Sequence, residues 1–362
     1  MMIELLSPET LKKFYTFNLT HYKNSNKFIH PLQVSLKDTF DIKNNPYWLT
    51  VNYKFFIAKK DRKPVGRIAV MAPKNNLQQA HFGFFECTND LTVARQLFEK
   101  AEKTSIDWGC KHLNGPFNPS LNYELGVLTE GFQNEPFFMM TYNYEDLIKK
   151  CGYHPEEKFY SYLLETKNFI EHSKLLRVAN TLKNNPEIII RNVNLKNFEA
   201  EARAIFKIYN DAFKGHFGFV PFEQKEFLFM AKDMKQIINP SLLKLVFWNN
   251  EPVVFILTLP NLNEVLKRIK KGQLFPTGIL KLLYFKNKIS SVRVVNAAIK
   301  QKYQHSGLGA LMYYSIFQEI KKLNLKTGQL SWIAESNKTM LKIVEELGAV
   351  KENTYAIYKK DL

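Results

Sequence analysis

Apolar residues along the last third of the chain follow two different periods. The apolar run 292–299 is of strand type, and directly after it apolar positions recur every three or four residues from Leu308 to Leu323. This pattern predicts a strand, a short turn and an amphipathic helix. The elements predicted next are a strand (328–333), a helix that ends at Leu347 and a last strand (355–358).

The turn between this strand and helix contains two glycines. Gly307 and Gly309 fall in the first turn of the helix, where free backbone N–H groups and the positive end of the helix dipole favour an anion. Glycine also lets a pyrophosphate approach the main chain, although turns use it for geometry alone as well. The candidate phosphate-binding turn consists of Gln304, His305, Ser306, Gly307, Leu308, Gly309 and Ala310.

The same order of elements occurs twice in the chain. Hairpins made of an apolar strand, a charged turn, Pro-Val and a second strand are predicted at 55–70 and at 245–257. Each half also ends with a helix, a glycine and an aromatic strand. These repeats predict two domains from a duplication, residues 1–165 and residues 166–362.

The two halves differ where a phosphate would bind. The corresponding helix of the first half, residues 91–108, has no glycine turn and is preceded by Asp90, whose carboxylate would repel a phosphate. We therefore expect only the second half to bind a phosphate-containing ligand, and the first half to be a degenerate copy.

The second half resembles the GNAT acyltransferase superfamily. Its members have Gln/Arg-x-x-Gly-x-Gly/Ala at the pyrophosphate loop, matched here by Gln304, Gly307, Gly309 and Ala310, and an asparagine early in the next helix, matched by Asn337. The whole chain looks like a bacterial tandem-GNAT family of unassigned substrate, through motifs at 113–119, 122–126, 131–132, 139–143, 209–210, 215 and 219–221.

This resemblance implies an α/β fold of the α+β kind: two tandem GNAT-like domains, each a mixed, mostly antiparallel sheet flanked by helices. The fourth and fifth strands of the second domain would splay apart to admit the arm of acetyl-CoA or another acyl-CoA. The backbone of Ala298 and Ile299 would hold the thioester and the pantetheine. The implied reaction is transfer of an acetyl or longer acyl group to the amine of a small molecule or peptide, by direct attack in a cleft at the domain junction.

Three alternatives remain beside acetyl transfer. The tyrosine that usually protonates the leaving thiolate is replaced by Val344, which is compatible with an acyl-CoA-binding regulator without turnover. A tandem transferase that uses aminoacyl-tRNA would exploit a basic surface, but it would not need a pyrophosphate turn. A long-chain donor would need an apolar tunnel, for which the segments 227–230 and 275–280 are candidates, although core packing explains them too.

Candidate catalytic residues come from both halves. Glu335 follows the strand beside the expected cofactor gap and is a candidate base, although a carboxylate there would also cap the next helix. Tyr355 is a candidate acid for the thiolate, although an aromatic residue on a terminal strand also serves packing.

Substrate contacts are expected from loops. The first half contributes Asn122, Tyr123 and Glu124, which lie in a loop rich in Gly, Pro and Asn. The formation of turns also explains this composition. His216 lies on the connection that shapes the acceptor site in related folds, and a lone histidine is also common on polar surfaces.

Composition and charge indicate which partners, metal sites and cellular location to expect. The formal charge of +17 favours acidic partners such as CoA phosphates, an acyl carrier protein or anionic lipid, but the lysines are spread along the chain, and we do not expect a nucleic-acid partner. The three cysteines have no metal-ligand spacing, so no metal site is expected. Because no signal peptide or run of 18 apolar residues is present, the sequence predicts a cytoplasmic protein without a membrane span.

Overall fold

In the computed structural model, residues 1–25, 27–134, 141–142, 144–170 and 173–362 are described. Three residues of the motif at 139–143, namely Met139, Met140 and Asn143, lie outside them. The strands of the first half are β1 (Met2–Leu5), β2 (Val51–Lys60), β3 (Lys63–Pro73), β4 (Gln79–Cys87), β5 (His112–Gly115), β6 (Val127–Glu130), β7 (Thr141–Tyr142) and β8 (His154–Glu165). Its helices are α1 (Lys12–Tyr15), α2 (Phe17–His21), α3 (Gln33–Thr39), α4 (Tyr47–Thr50), α5 (Leu91–Asp107) and α6 (Glu145–Lys150).

The second half repeats this order. Its strands are β9 (Ile188–Asn192), β10 (Leu243–Trp248), β11 (Glu251–Pro260), β12 (Ser291–Ile299), β13 (Thr327–Ala334) and β14 (Val350–Asp361). Its helices are α7 (Ser173–Lys183), α8 (Phe198–Ala212), α9 (Gln224–Met234), α10 (Asn263–Leu266), α11 (Gly278–Phe285), α12 (Leu308–Lys322) and α13 (Lys338–Glu346). Both predicted hairpins are confirmed, as β2–β3 and as β10–β11.

One mixed, mostly antiparallel sheet runs through both halves, with helices on its two faces. Its order is β1-β2-β3-β4-β5-β14-β8-β13-β12-β11-β10-β9, and β6 and β7 lie beside it. The last strand of each half is exchanged: β14 pairs with β5 of the first half, and β8 pairs with β13 of the second. The predicted boundary at residue 165 coincides with the end of β8, but the exchanged strands fasten the two halves together.

Each half buries one long helix against one face of the sheet. The core of the first half packs α5 beneath β2–β4, and the core of the second packs α12 beneath β11–β13. On the other face of the second half, α8 and α9 cover β10–β12. Side chains of β12 alternate between these two layers, and this alternation decides which of its residues can meet a substrate.

The three cysteines are unpaired, and burial raises the pKa of the Cys87 thiol to about 12. No helix in the described part of the chain is both long enough and apolar enough to cross a bilayer.

Candidate active site

Strands β12 and β13 separate halfway along their length. They pair in parallel only from Ser291–Thr327 to Val294–Leu330, although β12 continues to Ile299 and β13 to Ala334. In chain order, β12 and β13 are the fourth and fifth strands of the second half. The predicted separation of the fourth and fifth strands is therefore confirmed. The gap leaves backbone groups of both strands free to contact an extended ligand.

The register of β12 shows which backbone groups face this gap. The amide of Lys300 donates to the carbonyl of Val253, and hydrogen-bonded positions alternate in an antiparallel ladder. Ala298 therefore directs its N–H and C=O toward β11, whereas Ala297 and Ile299 direct theirs into the gap. The sequence predicts that the backbone of Ala298 and Ile299 holds the pantetheine. The geometry favours Ile299 for this contact, but it favours Ala297 over Ala298.

The glycine turn begins α12 without a side-chain cap. Gly307 has a left-handed backbone with φ of 84°, and the turn around it is partly exposed, most of all at Gln304 and His305. The hydroxyl of Ser306 is 3.4 Å from the amide of Leu308, whereas the amides of Gly307 and Gly309 have no acceptor in the described part of the chain.

Helix α7 covers one side of this turn. A Cβ built on Gly307 would lie 2.7 Å from Val178 Cγ1, so position 307 has no room for a side chain. A Cβ on Gly309 would lie 3.6 Å from Ile299 Cδ1, which is an ordinary contact. The turn thus combines a side packed by protein with exposed amides, an arrangement that fits an anion on the open side.

The first half lacks such a turn, as its sequence indicates. The carboxylate of Asp90 accepts hydrogen bonds from the amides of Thr92 and Val93, at 2.9 and 3.4 Å, and so occupies the N-terminus of α5.

A buried arginine of β12 interacts electrostatically with a carboxylate of the first half. Arg293 of β12 is buried, donates to the hydroxyl and the carbonyl oxygen of Ser331 at 2.9 and 3.1 Å, and stacks 4.4 Å from the centre of the Trp332 ring. Burial lowers the pKa of Arg293 to about 9, which leaves the guanidinium charged at neutral pH. Its carboxylate neighbour is Glu124, from the predicted substrate loop of the first half.

Burial raises the pKa of Glu124 to about 7, while the Arg293 charge and a hydrogen bond with Asn118 act in the opposite direction. A carboxyl group that titrates near neutral pH can exchange a proton with a substrate amine. Its side chain is still partly accessible to solvent, so a substrate can reach it.

The loop residues beside Glu124 contact the helices of the second half. Asn122 accepts a hydrogen bond from the Tyr209 hydroxyl at 2.8 Å and donates to the carbonyl of Val220 at 3.4 Å. Tyr123 packs between the two halves. Burial raises the pKa of Glu226, and a hydrogen bond from Tyr123 acts in the opposite direction. The predicted substrate loop is therefore brought to the second half.

The other predicted residues lie elsewhere around the gap. Glu335 accepts a hydrogen bond from the Tyr160 hydroxyl at 2.5 Å, on the face that carries α12. Asn337 caps α13 through the amide of Met340 at 3.1 Å. His216 is exposed and its ring lies edge-on to that of Phe213.

Tyr355 is fully buried on β14 and interacts electrostatically with Arg293. Burial raises its pKa to about 12, so the hydroxyl keeps its proton at neutral pH. Its role as an acid stays a prediction, as do those of Glu335 and Asn337.

A narrow apolar cavity opens beside this site. It lies between α8, α9 and β10–β12, and its volume is about 80 Å³, which is room for roughly six water-sized groups. Its lining is Asn122, Val193, Phe198, Glu201, Ala202, Ile205, Tyr209, Phe222, Phe227, Met230, Ala231, Met234, Ile238, Leu243, Phe255, Leu257, Val295 and Asn296. The predicted tunnel segment 227–230 thus contributes Phe227 and Met230, whereas 275–280 contributes nothing.

The cavity meets β12 at a bulge. The register shifts between Leu257, opposite Asn296, and Thr258, opposite Val294, so that Val295 has no partner on β11. The Asn296 side-chain oxygen is buried with no hydrogen-bond partner in the described residues. A free acceptor next to an apolar cavity is suited to orienting an N–H or O–H group of a substrate.

Arg293 and Asn296 are functional candidates that the sequence interpretation missed. Both are polar residues within the otherwise apolar run 292–299, and that departure from the apolar pattern was the available signal.

No family model matches the chain. It is 28% identical to "Bacterial ceramide synthase" of Caulobacter vibrioides, over 100% of this chain and 97% of that protein, and 27% identical to "Protein YghO" of Escherichia coli, over 99% and 94%.

Among solved structures, it is similar to a tandem GNAT protein from the clavulanic acid biosynthesis pathway. The TM-score is 0.59 at 9% identity, over 99% of this chain and 98% of that one. A GCN5-related N-acetyltransferase from Sphaerobacter thermophilus gives a TM-score of 0.53 at 11% identity, over 99% and 95%. The chain therefore has the tandem GNAT fold.

Proposed function

We propose that this protein is an N-acyltransferase that moves a fatty acyl group from acyl-CoA to the amine of a long-chain amino alcohol, as the name of its Caulobacter relative suggests. The observation that carries the proposal is the apolar cavity beside the splayed strands. An acetyl donor would not need it, whereas the first several methylenes of a fatty chain that leaves the thioester carbon would be buried in it.

In this proposal, the exposed amides of the glycine turn hold the CoA diphosphate. The backbone of Ala297 and Ile299 holds the pantetheine in the gap between β12 and β13, and the acyl chain enters the cavity past Val295. Glu124 takes the proton from the substrate ammonium, and Asn296 accepts a hydrogen bond from the same nitrogen.

The reaction then needs no covalent enzyme intermediate. The free amine attacks the thioester carbonyl, a C–N bond forms, the nitrogen loses its second proton to solvent, and the C–S bond breaks to release the CoA thiolate. The charge of Arg293 favours the carboxylate form of Glu124 and keeps a positive charge at the site. Tyr355, which retains its proton, is our proposed donor to the thiolate.

A turnover assay tests the proposed function. Purified protein is supplied with palmitoyl-CoA and a long-chain amino alcohol, and both the free thiol and the amide are measured. We expect amide and thiol in equal amounts. Acyl-CoA binding without thiol release over a panel of amines would instead identify a regulator, and the proposal would be wrong.

The assignment of the glycine turn leads to a separate prediction. Gly309→Asp places a carboxylate beside the CoA phosphates, and like charges at ~5 Å repel by about 3 kcal/mol at an effective dielectric constant near 20. We therefore expect a dissociation constant for CoA about a hundredfold higher, measured by calorimetry.

Gly309→Ala is the matched control, since its Cβ makes only an ordinary contact, and it should change binding by less than about threefold. Aspartate in the first turn also favours a helix, so Gly309→Asp should not lower the melting temperature. Equal CoA affinity in both variants would rule out the turn as the diphosphate site.

A further inference from the structure

The connection between β11 and β12 exposes a cluster of large apolar side chains. Phe275, Leu280, Leu283 and Tyr284 are 78%, 67%, 52% and 61% exposed. The last three lie on α11 at positions i, i+3 and i+4, so they form one stripe on a single helix face. Contiguous exposed apolar groups of this size mark an interaction surface.

Basic residues surround this stripe. Residues 263–288 contain seven lysines and arginines and a single acidic residue, Glu264, giving the connection a net charge of +6. Glu264 faces inward, because its carboxylate accepts hydrogen bonds from the amides of Ser290 and Ser291 at 3.1 and 2.9 Å. The exposed side of the connection is thus both apolar and positively charged.

The connection is held firmly against the rest of the protein. Gly272 packs so closely on the backbone of Pro31 that a Cβ would lie 2.0 Å from its carbonyl oxygen, and the Gln33 side chain donates to the carbonyl of Lys271 at 3.1 Å. Val265 and Ile269 are buried. The apolar stripe therefore points outward from a fixed base, and none of the described residues covers it.

We propose that this basic apolar patch, Phe275, Leu280, Leu283 and Tyr284 with the surrounding lysines, docks the protein on the surface of an anionic lipid bilayer. Apolar side chains flanked by lysine suit the boundary between acyl chains and headgroups, and the positive charge suits anionic lipid. A second copy of the chain fits less well, since a symmetric contact would bring two patches of charge +6 together.

The position of the patch would let a lipid substrate enter from the bilayer while CoA binds from water. Strand β12 begins just after the connection and ends just before the glycine turn, and its nine residues span about 25 Å. With the patch on a bilayer, the glycine turn would be directed away from it, toward water. This docking does not depend on the proposed function, because it is measured without turnover.

Co-sedimentation of the full chain with vesicles tests the docking. We expect binding to phosphatidylcholine vesicles that contain a quarter phosphatidylglycerol, and at least tenfold weaker partitioning to phosphatidylcholine alone or in 0.5 M NaCl. The variant Leu280→Ser/Leu283→Ser/Tyr284→Ser and the variant Lys281→Glu/Lys286→Glu/Lys288→Glu should each lower partitioning at least tenfold. All six side chains are exposed, so folding should be retained, which the melting temperature checks.

The matched control is Lys63→Glu/Lys100→Glu/Lys103→Glu, which makes the same change in charge at exposed positions of the first half. It should bind anionic vesicles within about threefold of the wild type if the effect is local. Equal losses in the control and in the patch variants, or wild-type protein that stays in the supernatant, would overturn the proposal. So would a dimer, detected by analytical ultracentrifugation, that the serine variant converts to monomer.

Discussion

Glu124→Gln is expected to lower kcat by about two to four orders of magnitude, the usual loss when a general base is removed. Glutamine keeps the shape of the side chain but cannot take the proton from the substrate ammonium. The affinity for CoA should stay within about threefold of the wild type, because the glycine turn is separate from this side chain. Steady-state kinetics and calorimetry measure the two quantities.

The pH dependence gives this prediction a second readout. The raised pKa of about 7 means that Glu124 is protonated, and inactive as a base, below neutral pH. In the wild type, kcat should therefore rise with pH through about 7 and then level off. In Glu124→Gln this rise should disappear from the remaining activity.

Glu226 supplies a matched control for this experiment. It is a buried carboxyl group of the second half, and burial raises its pKa to about 7 as well, but its neighbours are Tyr123 and Glu223 rather than Arg293. Glu226→Gln should keep the rise in kcat near pH 7. If Glu226→Gln removes the rise and Glu124→Gln does not, the base has been assigned to the wrong carboxylate.

The parts of this fold that the sequence predicts are those with local signals. The change from strand to helix period around the glycines places β12, the turn and α12 correctly, and the hairpin signals correctly place β2–β3 and β10–β11. The exchange of β8 and β14 has no such signal, because both are aromatic strands after a helix and a glycine. Which neighbour each one pairs with depends on the packing of the whole sheet.

In the site too, the sequence predicts residues that have a local signal but not the contacts that only the fold brings about. The composition of its loop predicts Glu124 as a substrate contact, but its raised pKa follows from burial that only the fold provides. Its partner Arg293 lies in the other half, so no sequence spacing links the two. The cavity was harder still to foresee, because residues such as Phe227 and Met230 have the same pattern whether they fill a core or surround a space.

Filling the cavity should change which acyl donors the protein accepts. Ala231 lines the cavity from α9, and Ala231→Phe would occupy much of its space. Burying a methylene contributes about 0.8 kcal/mol, so displacing roughly four of them costs about 3 kcal/mol. We therefore expect kcat/KM for palmitoyl-CoA to fall on the order of a hundredfold, measured in the thiol-release assay.

Acetyl-CoA provides the internal control for this variant, because its two-carbon acyl group does not reach the cavity. Its affinity should change by less than about threefold, which also shows that Ala231→Phe is folded around the glycine turn. Ala231→Ser, which adds little volume, should retain most of the palmitoyl activity. If Ala231→Phe weakens both donors equally, the cavity does not hold the acyl chain, and if it weakens neither, the chain leaves the thioester by another route.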